Sequence, residues 1–152
     1  MKLESGKYEL GDVQDPNVPS SLLKLWMREL TQPLIPPHLY EECIKQCEDG
    51  ERAMAVINQL ELNNRLVCKY VIRVLQIFSQ PIYSKITKMT VNNIAMVFGP
   101  NFLRCPSDNP QVIFENTKYE QSFLKNLILS SNYKEDPEVM GLFMSDLFKK
   151  YQ

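Results

Sequence analysis

Lys24 and Arg28 are the first residues whose type and spacing could grip something. They fall one helical turn apart, opposite a stripe formed by Leu22, Leu23, Trp26, Met27 and Leu30. Like charges at that spacing repel by about 0.2–0.5 kcal/mol. Either this is a solvated face that tolerates the cost, or each cation has its own partner, such as an acidic loop, a backbone carbonyl or a second protein.

A second constellation lies between Thr87 and Asn101. Thr90 is a good N-cap, Met89 and Ile94 are placed for a hydrophobic staple, and Gly99 followed by Pro100 spells a left-handed stop. The spacing predicts a very short helix fixed at both ends. Two turns of helix are marginal alone, so fixing both ends points to a polar face, Asn92 and Asn93, held still for a purpose. A buried connector whose amides satisfy nearby backbone is the other reading. Lys85, Lys88 and Arg104 flank the segment and would give a local positive patch if the helices pack side by side.

Conventional catalysis has little to work with. His38 is the only histidine, and there is no Gly-rich phosphate loop, nucleophile elbow or paired-carboxylate spacing beyond ordinary helix surface. The cysteines, Cys43, Cys47, Cys68 and Cys105, have no zinc spacing. Their first reading is reduced packing thiols, with metal or redox chemistry the minor alternative. No metal and no cofactor is expected, and the balance favours a binding or regulatory module.

The elements that must position these residues read as all-α. Only 5 glycines occur, and the 10 prolines sit between periodic segments rather than inside them. Ser20 can cap a first helix that stops before Pro33. Pro33-Leu34-Ile35-Pro36-Pro37 launches a second through Leu39, Tyr40, Cys43, Ile44 and Cys47, and a third runs from about Glu51 to Leu60. In the fourth, Leu66, Tyr70, Val74 and Phe78 recur every four residues beside Val67, Val71 and Leu75, and this face is expected at the centre of the core. Lys69, Arg73, Gln76 and Gln80 are expected on a solvated side. After the short capped helix and a turn-rich loop, a long helix spans about Gln111 to Leu129, with Val112, Ile113, Phe123, Leu124, Leu127 and Ile128 as its apolar set and Phe114 and Tyr119 as further inward candidates. Asp136-Pro137 opens a final segment carrying Val139, Met140, Phe143, Leu147 and Phe148.

At 152 residues and 44% hydrophobic, one domain with a real core is the expectation. The net charge of −1 gives no whole-molecule field to attract nucleic acid or an anionic membrane. No apolar run approaches the roughly 18 residues of a spanning helix, and the first residues lack a signal-peptide core, which places the chain in the cytoplasm.

Ser21-Leu22-Leu23-Lys24-Leu25-Trp26-Met27-Arg28-Glu29-Leu30, Pro33-Leu34-Ile35-Pro36, Asn64-Arg65 and Lys88-Met89-Thr90 through Asn93-Ile94-Ala95 to Val97-Phe98-Gly99-Pro100-Asn101 resemble, in order and spacing, the Rho GTPase-activating (RhoGAP) domain. Asp15-Pro16, Val18-Pro19, Leu103-Arg104-Cys105 and Val112-Ile113-Phe114-Glu115-Asn116-Thr117 look most like its Vilse/CrossGAP branch. The resemblance implies an all-helical bundle that grips the switch regions of a GTP-loaded Rho, Rac or Cdc42-type small GTPase. Lys24 would reach the GTPase, Arg28 would support the catalytic loop, Asn93 would hydrogen-bond near the switch surface, and packing around Pro100 would set the short helix. Lys88 and Asn92 complete the expected GTPase-binding set.

The family's arginine finger belongs on a loop N-terminal to the Lys24 helix, in a Phe-Arg-x-x-Gly setting. Arg28, Arg52, Arg65, Arg73 and Arg104 are the only arginines, and none has that context. The expectation is therefore an N-terminally truncated bundle with no catalytic residue of its own and weak activity. Residues 1–14 read as a polar lead-in, 15–131 as the RhoGAP-like domain and 132–152 as a helical extension. Helices missing from the bundle would leave apolar residues exposed on the Trp26 or Tyr70 side. Membrane contact is expected only through the GTPase. The competing reading is a non-catalytic interaction module, or an anionic-lipid-binding one using Lys85, Lys88 and the terminal segment.

Overall fold

The structure, a computed structural model, describes residues 17–130, and the final segment from Asp136 lies outside them. Seven α-helices are seen among the described residues: α1 (Asn17–Glu29), α2 (Tyr40–Lys45), α3 (Gly50–Asn58), α4 (Leu62–Phe78), α5 (Pro81–Thr87), α6 (Val91–Phe102) and α7 (Pro110–Ser130). A single 3-10 turn, Pro37–Leu39, leads into α2. The all-α expectation holds, with α5 an addition to the helices read from periodicity.

Helix α7 organises the packing. Its C-terminal half places Phe123, Leu124, Leu127 and Ile128 fully inside. Around it gather Met27 of α1, Tyr40 and Cys43 of α2, Ala53, Val56 and Ile57 of α3, Cys68, Val71, Ile72 and Leu75 of α4, and Ile94, Phe98 and Phe102 of α6. Side-chain amides fasten the same half of α7: Gln76 Nε2 donates to the Ile128 carbonyl at 2.9 Å, and Asn126 Nδ2 donates to the Cys47 carbonyl at 2.8 Å.

This arrangement corrects the reading of α4. Of the expected face, Val71 and Leu75 are buried, but Leu66, Val67, Tyr70 and Val74 are only half-buried and Phe78 is 55% exposed, whereas Lys69, expected on a solvated side, is buried. Helix α4 is apolar on two sides, so its period alone could not say which side meets α7. The side containing Cys68, Ile72 and Leu75 does, and Gln76 on that side serves the end of α7. On α7, Phe123, Leu124, Leu127 and Ile128 are inside as expected, but Val112 and Ile113 in its first half are exposed, Phe114 points outward and Tyr119 is partly exposed.

The resemblance motifs away from the helices have structural jobs. Asn64 Nδ2 donates to the Leu34 carbonyl at 2.8 Å and Arg65 Nη1 to the Leu60 carbonyl at 3.2 Å, holding the buried Pro33-Leu34-Ile35 turn and the α3–α4 connection. Asp49 caps α3, accepting from the Glu51 and Arg52 amides at 3.0 and 3.1 Å. The thiols of Cys43, Cys47 and Cys68 are buried, and burial pushes that of Cys43 up to about 12. They stay protonated and pack as small apolar groups.

Candidate functional site

The α6 segment forms as expected at its start and differently at its end. Thr90 has extended backbone and its Oγ1 accepts from the Asn93 amide at 3.3 Å, while Met89 packs on the core beside buried Ile94. Gly99 and Pro100, however, do not stop the helix, which runs on to Phe102 with Pro100 inside it. Phe102 and Leu103 are fully buried, and the apolar area they remove from water outweighs one missing backbone hydrogen bond at the proline. Gly99 serves close approach instead: a Cβ there would sit 3.0–3.1 Å from the backbone of Glu120 and Gln121 on α7. The left-handed residue of this region is Lys88, with φ 59° and ψ 11°, which ends α5.

Burial of Ile94, Ala95, Phe98, Gly99 and Phe102 against the body leaves Asn92, Asn93, Met96 and Val97 exposed on the opposite face, with Pro100 half-buried beside them. Asn93 is pinned there. Its Nδ2 donates to the Lys88 carbonyl at 2.7 Å, which fixes the amide and leaves Oδ1 as an outward acceptor. Lys88 Nζ donates to the Lys85 carbonyl at 3.0 Å, steadying the same turn at the end of α5.

Helix α1 packs beside α6. The Lys24 ammonium lies 5.8 Å from the centroid of the Phe98 ring, a cation–π distance that leans the side chain toward α6 without consuming its hydrogen bonds. Arg28 is 62% exposed at its side chain, and its Nε is 3.7 Å from Glu29 Oε1, a surface pair of little energetic weight. The structure thus joins Lys24 to α6 through Phe98, and joins Asn93 to Lys88 directly. Asn92 is an exposed neighbour on the same helix.

Three positioning features escaped the sequence reading. Arg104, placed there only as part of a positive patch, donates through Nη1 to the carbonyls of Arg28 at 2.6 Å and Leu30 at 3.1 Å. It caps the end of α1, where a cation is favourable to the helix dipole, and its fork ties the α6–α7 loop to the turn bearing Arg28. Nothing in local sequence signals a contact of that range. Glu120 is buried at 1% exposure and accepts from Tyr40 Oη at 2.6 Å. It falls on the 120, 123, 124, 127 face of α7, a periodicity that would have flagged it. Burial raises the Glu120 carboxyl above its ordinary range, and the Tyr40 bond opposes that shift. The third is the left-handed Lys88. Among the described residues, no group of three His, Cys, Asp or Glu side chains gathers to hold a metal, and no helix is long and apolar enough to cross a membrane.

Comparison with known proteins agrees with the motif-level resemblance. The sequence model of the RhoGAP domain matches residues 1–107. GTPase activating protein homolog 3 of Dictyostelium discoideum is 35% identical over 127 residues, covering 84% of this chain and 10% of that protein. Human Rho GTPase-activating protein 24 is 36% identical over 122 residues, covering 75% of this chain and 16% of its own length. The chain therefore spans about a tenth to a sixth of the curated relatives it matches. The crystal structure of human Rho GTPase activating protein 15 superposes with a TM-score of 0.67 at 19% identity, covering 88% of this chain and 64% of that one, which is a likeness of fold. With Thr90, Asn93, Gly99 and Pro100 placed as described and the family match spanning α1 through α6, the chain belongs to the RhoGAP domain family.

Proposed function

We propose that this chain is a GTPase-activating regulator of a Rho, Rac or Cdc42-type small GTPase, docking on its GTP-loaded switch regions through the exposed face of α6 and the adjoining side of α1. The observation that carries this reading is the pinned Asn93 amide: one end is spent on the Lys88 carbonyl, and the other is offered outward from a helix whose back is locked to α7. A rigid acceptor bordered by Met96 and Val97 suits a protein partner, because little side-chain freedom remains to be lost on binding. Lys24 and Lys88 supply charge at the border, Asn92 a further amide, Arg28 the support for the catalytic loop that the family resemblance implies, and Pro100 the lie of α6. The partner performs the hydrolysis.

An arginine finger contributes about 10³–10⁵ in rate, and no arginine of this chain has the Phe-Arg-x-x-Gly setting. Arg104 is occupied with the α1 carbonyls. This chain alone therefore positions more than it accelerates. Calorimetry against Rho, Rac and Cdc42 loaded with a non-hydrolysable GTP analogue tests the reading. Binding to the GTP form over the GDP form is expected, weakened about tenfold or more by Asn93→Ala or Lys24→Ala and unchanged by Lys45→Ala at an exposed position of α2. Equal affinity for both nucleotide states, or equal loss at Lys45, would overturn it.

A further inference from the structure

Helix α5 has no packing reason to carry isoleucines. Among the described α-helices it alone buries no side chain. Ile82 and Ile86 are 68% and 82% exposed, and Tyr83 is 44% exposed. Ile82 and Ile86 are four residues apart and share a face, so the apolar surface is one edge rather than scattered points. What shapes the helix is local. Pro81 starts it, Thr87 Oγ1 donates to the Tyr83 carbonyl at 3.0 Å, and left-handed Lys88 ends it. The helix is thus held with its apolar edge toward water.

Charge selects among the surfaces that could cover that edge. From Leu62 to Ser107 the chain has no Asp or Glu but six cations: Arg65, Lys69, Arg73, Lys85, Lys88 and Arg104. The other residues carry eleven cations against eighteen acids, so a chain of net charge −1 is strongly divided along its sequence; of the six, Lys69 is buried and Arg104 is bonded to the α1 carbonyls. Lys85 and Lys88 lie exposed in and beside α5. Seven residues are also too few for a protein interface, which needs about 800 Å² from each partner. A bilayer asks for less: a few apolar side chains at the acyl boundary and nearby lysines at anionic headgroups.

We propose that α5 is a lipid-contact element, in which Ile82, Ile86 and Tyr83 enter the interface of an anionic membrane and Lys85 and Lys88 meet its headgroups. Contact with the membrane is then direct rather than only through a GTPase, and the apolar partner of Lys85 and Lys88 is the Ile82–Ile86 edge in place of the terminal segment of the competing sequence reading. The site adjoins the α6 face at Lys88, whose carbonyl anchors Asn93, but requires no GTPase.

Cosedimentation of the whole chain with phosphatidylcholine vesicles, with and without phosphatidylserine, tests it. Binding is expected to the anionic vesicles only and to fall with added salt. Lys85→Glu should weaken it at least about fivefold, and Ile82→Ser with Ile86→Ser should abolish it. Because both isoleucines are exposed, the double variant should keep the wild-type circular dichroism and melting temperature, so a lost signal cannot be lost folding. The proposal fails if the wild-type chain ignores anionic vesicles, binds neutral ones equally well, or binds unchanged after the serine substitutions. It also fails if light scattering finds a dimer that those substitutions dissociate while no vesicle binding occurs, which would make the edge a contact between copies.

Discussion

Helices α5 and α6 are consecutive in the chain and held by opposite means. Helix α6 is fixed by its back: five buried residues, among them a glycine pressed against α7, and a threonine cap leave its front face of Asn92, Asn93, Met96 and Val97 rigid. Helix α5 is fixed only by its ends and buries nothing. The contrast separates two ways of presenting a surface. A packed helix can hold an amide in one orientation, as recognition of a folded partner requires, whereas a helix held by local backbone devices presents an apolar edge without that precision. Lys88 belongs to both, ending α5 with its left-handed backbone while its carbonyl anchors Asn93.

The strongest way to break the contrast is to push α6 off its support. Gly99→Val places a branched side chain against the α7 backbone, already 3.0–3.1 Å from where a Cβ would stand, and should destabilise the chain by about 3 kcal/mol in urea unfolding. A smaller effect should follow at the same crossing from Glu120→Gln. Burial raises the Glu120 carboxyl above its ordinary 4.5, so the native state holds that proton more tightly than the unfolded chain. Glu120 therefore makes the wild type lose stability as pH rises from 4.5 toward the raised native value. Glutamine keeps an acceptor for Tyr40 Oη and removes the titration. Melting temperatures followed upward from about pH 5 should fall less in the variant than in the wild type.

The smallest change sharpens the comparison at the shared residue. Lys88→Gly relieves a non-glycine residue at φ 59° and should raise unfolding free energy by about 0.5–1 kcal/mol. A gain confined to α5 amide protection, with no change in global unfolding, would show that the strain is borne by the helix end alone.

Much of this was legible beforehand, because caps, prolines and periodicity are local. Thr90, the staple at Met89 and Ile94, and the helical class all follow from residues within a turn of one another. The errors arose where a residue's role depends on what packs against it. Gly99 has the chemistry of a stop and the position of a close contact, and only the presence of α7 chooses between them. The sides of α4 are similarly apolar, so Lys69 was assigned to water. Arg104 was read as part of a patch because its acceptors lie 76 and 74 residues away in sequence. Of the candidate site, the placement of Lys24, Arg28, Asn92 and Asn93 on helices was legible, and the bonds that hold those helices were not.

That distance has a temporal meaning. On a ribosome, the carbonyls of Arg28 and Leu30 are made long before the guanidinium that caps them. At about 5–20 residues per second the wait is about 4–15 s. Tyr40 waits comparably for Glu120. Contacts of such range pay their loop-closure entropy late, so α1 cannot acquire its final seat until most of the described chain has been synthesised. A nascent fragment ending before Arg104 would carry Lys24 and Arg28 but lack the clasp that sets their helix. The surface proposed to meet a GTPase is thereby withheld until the domain is nearly whole.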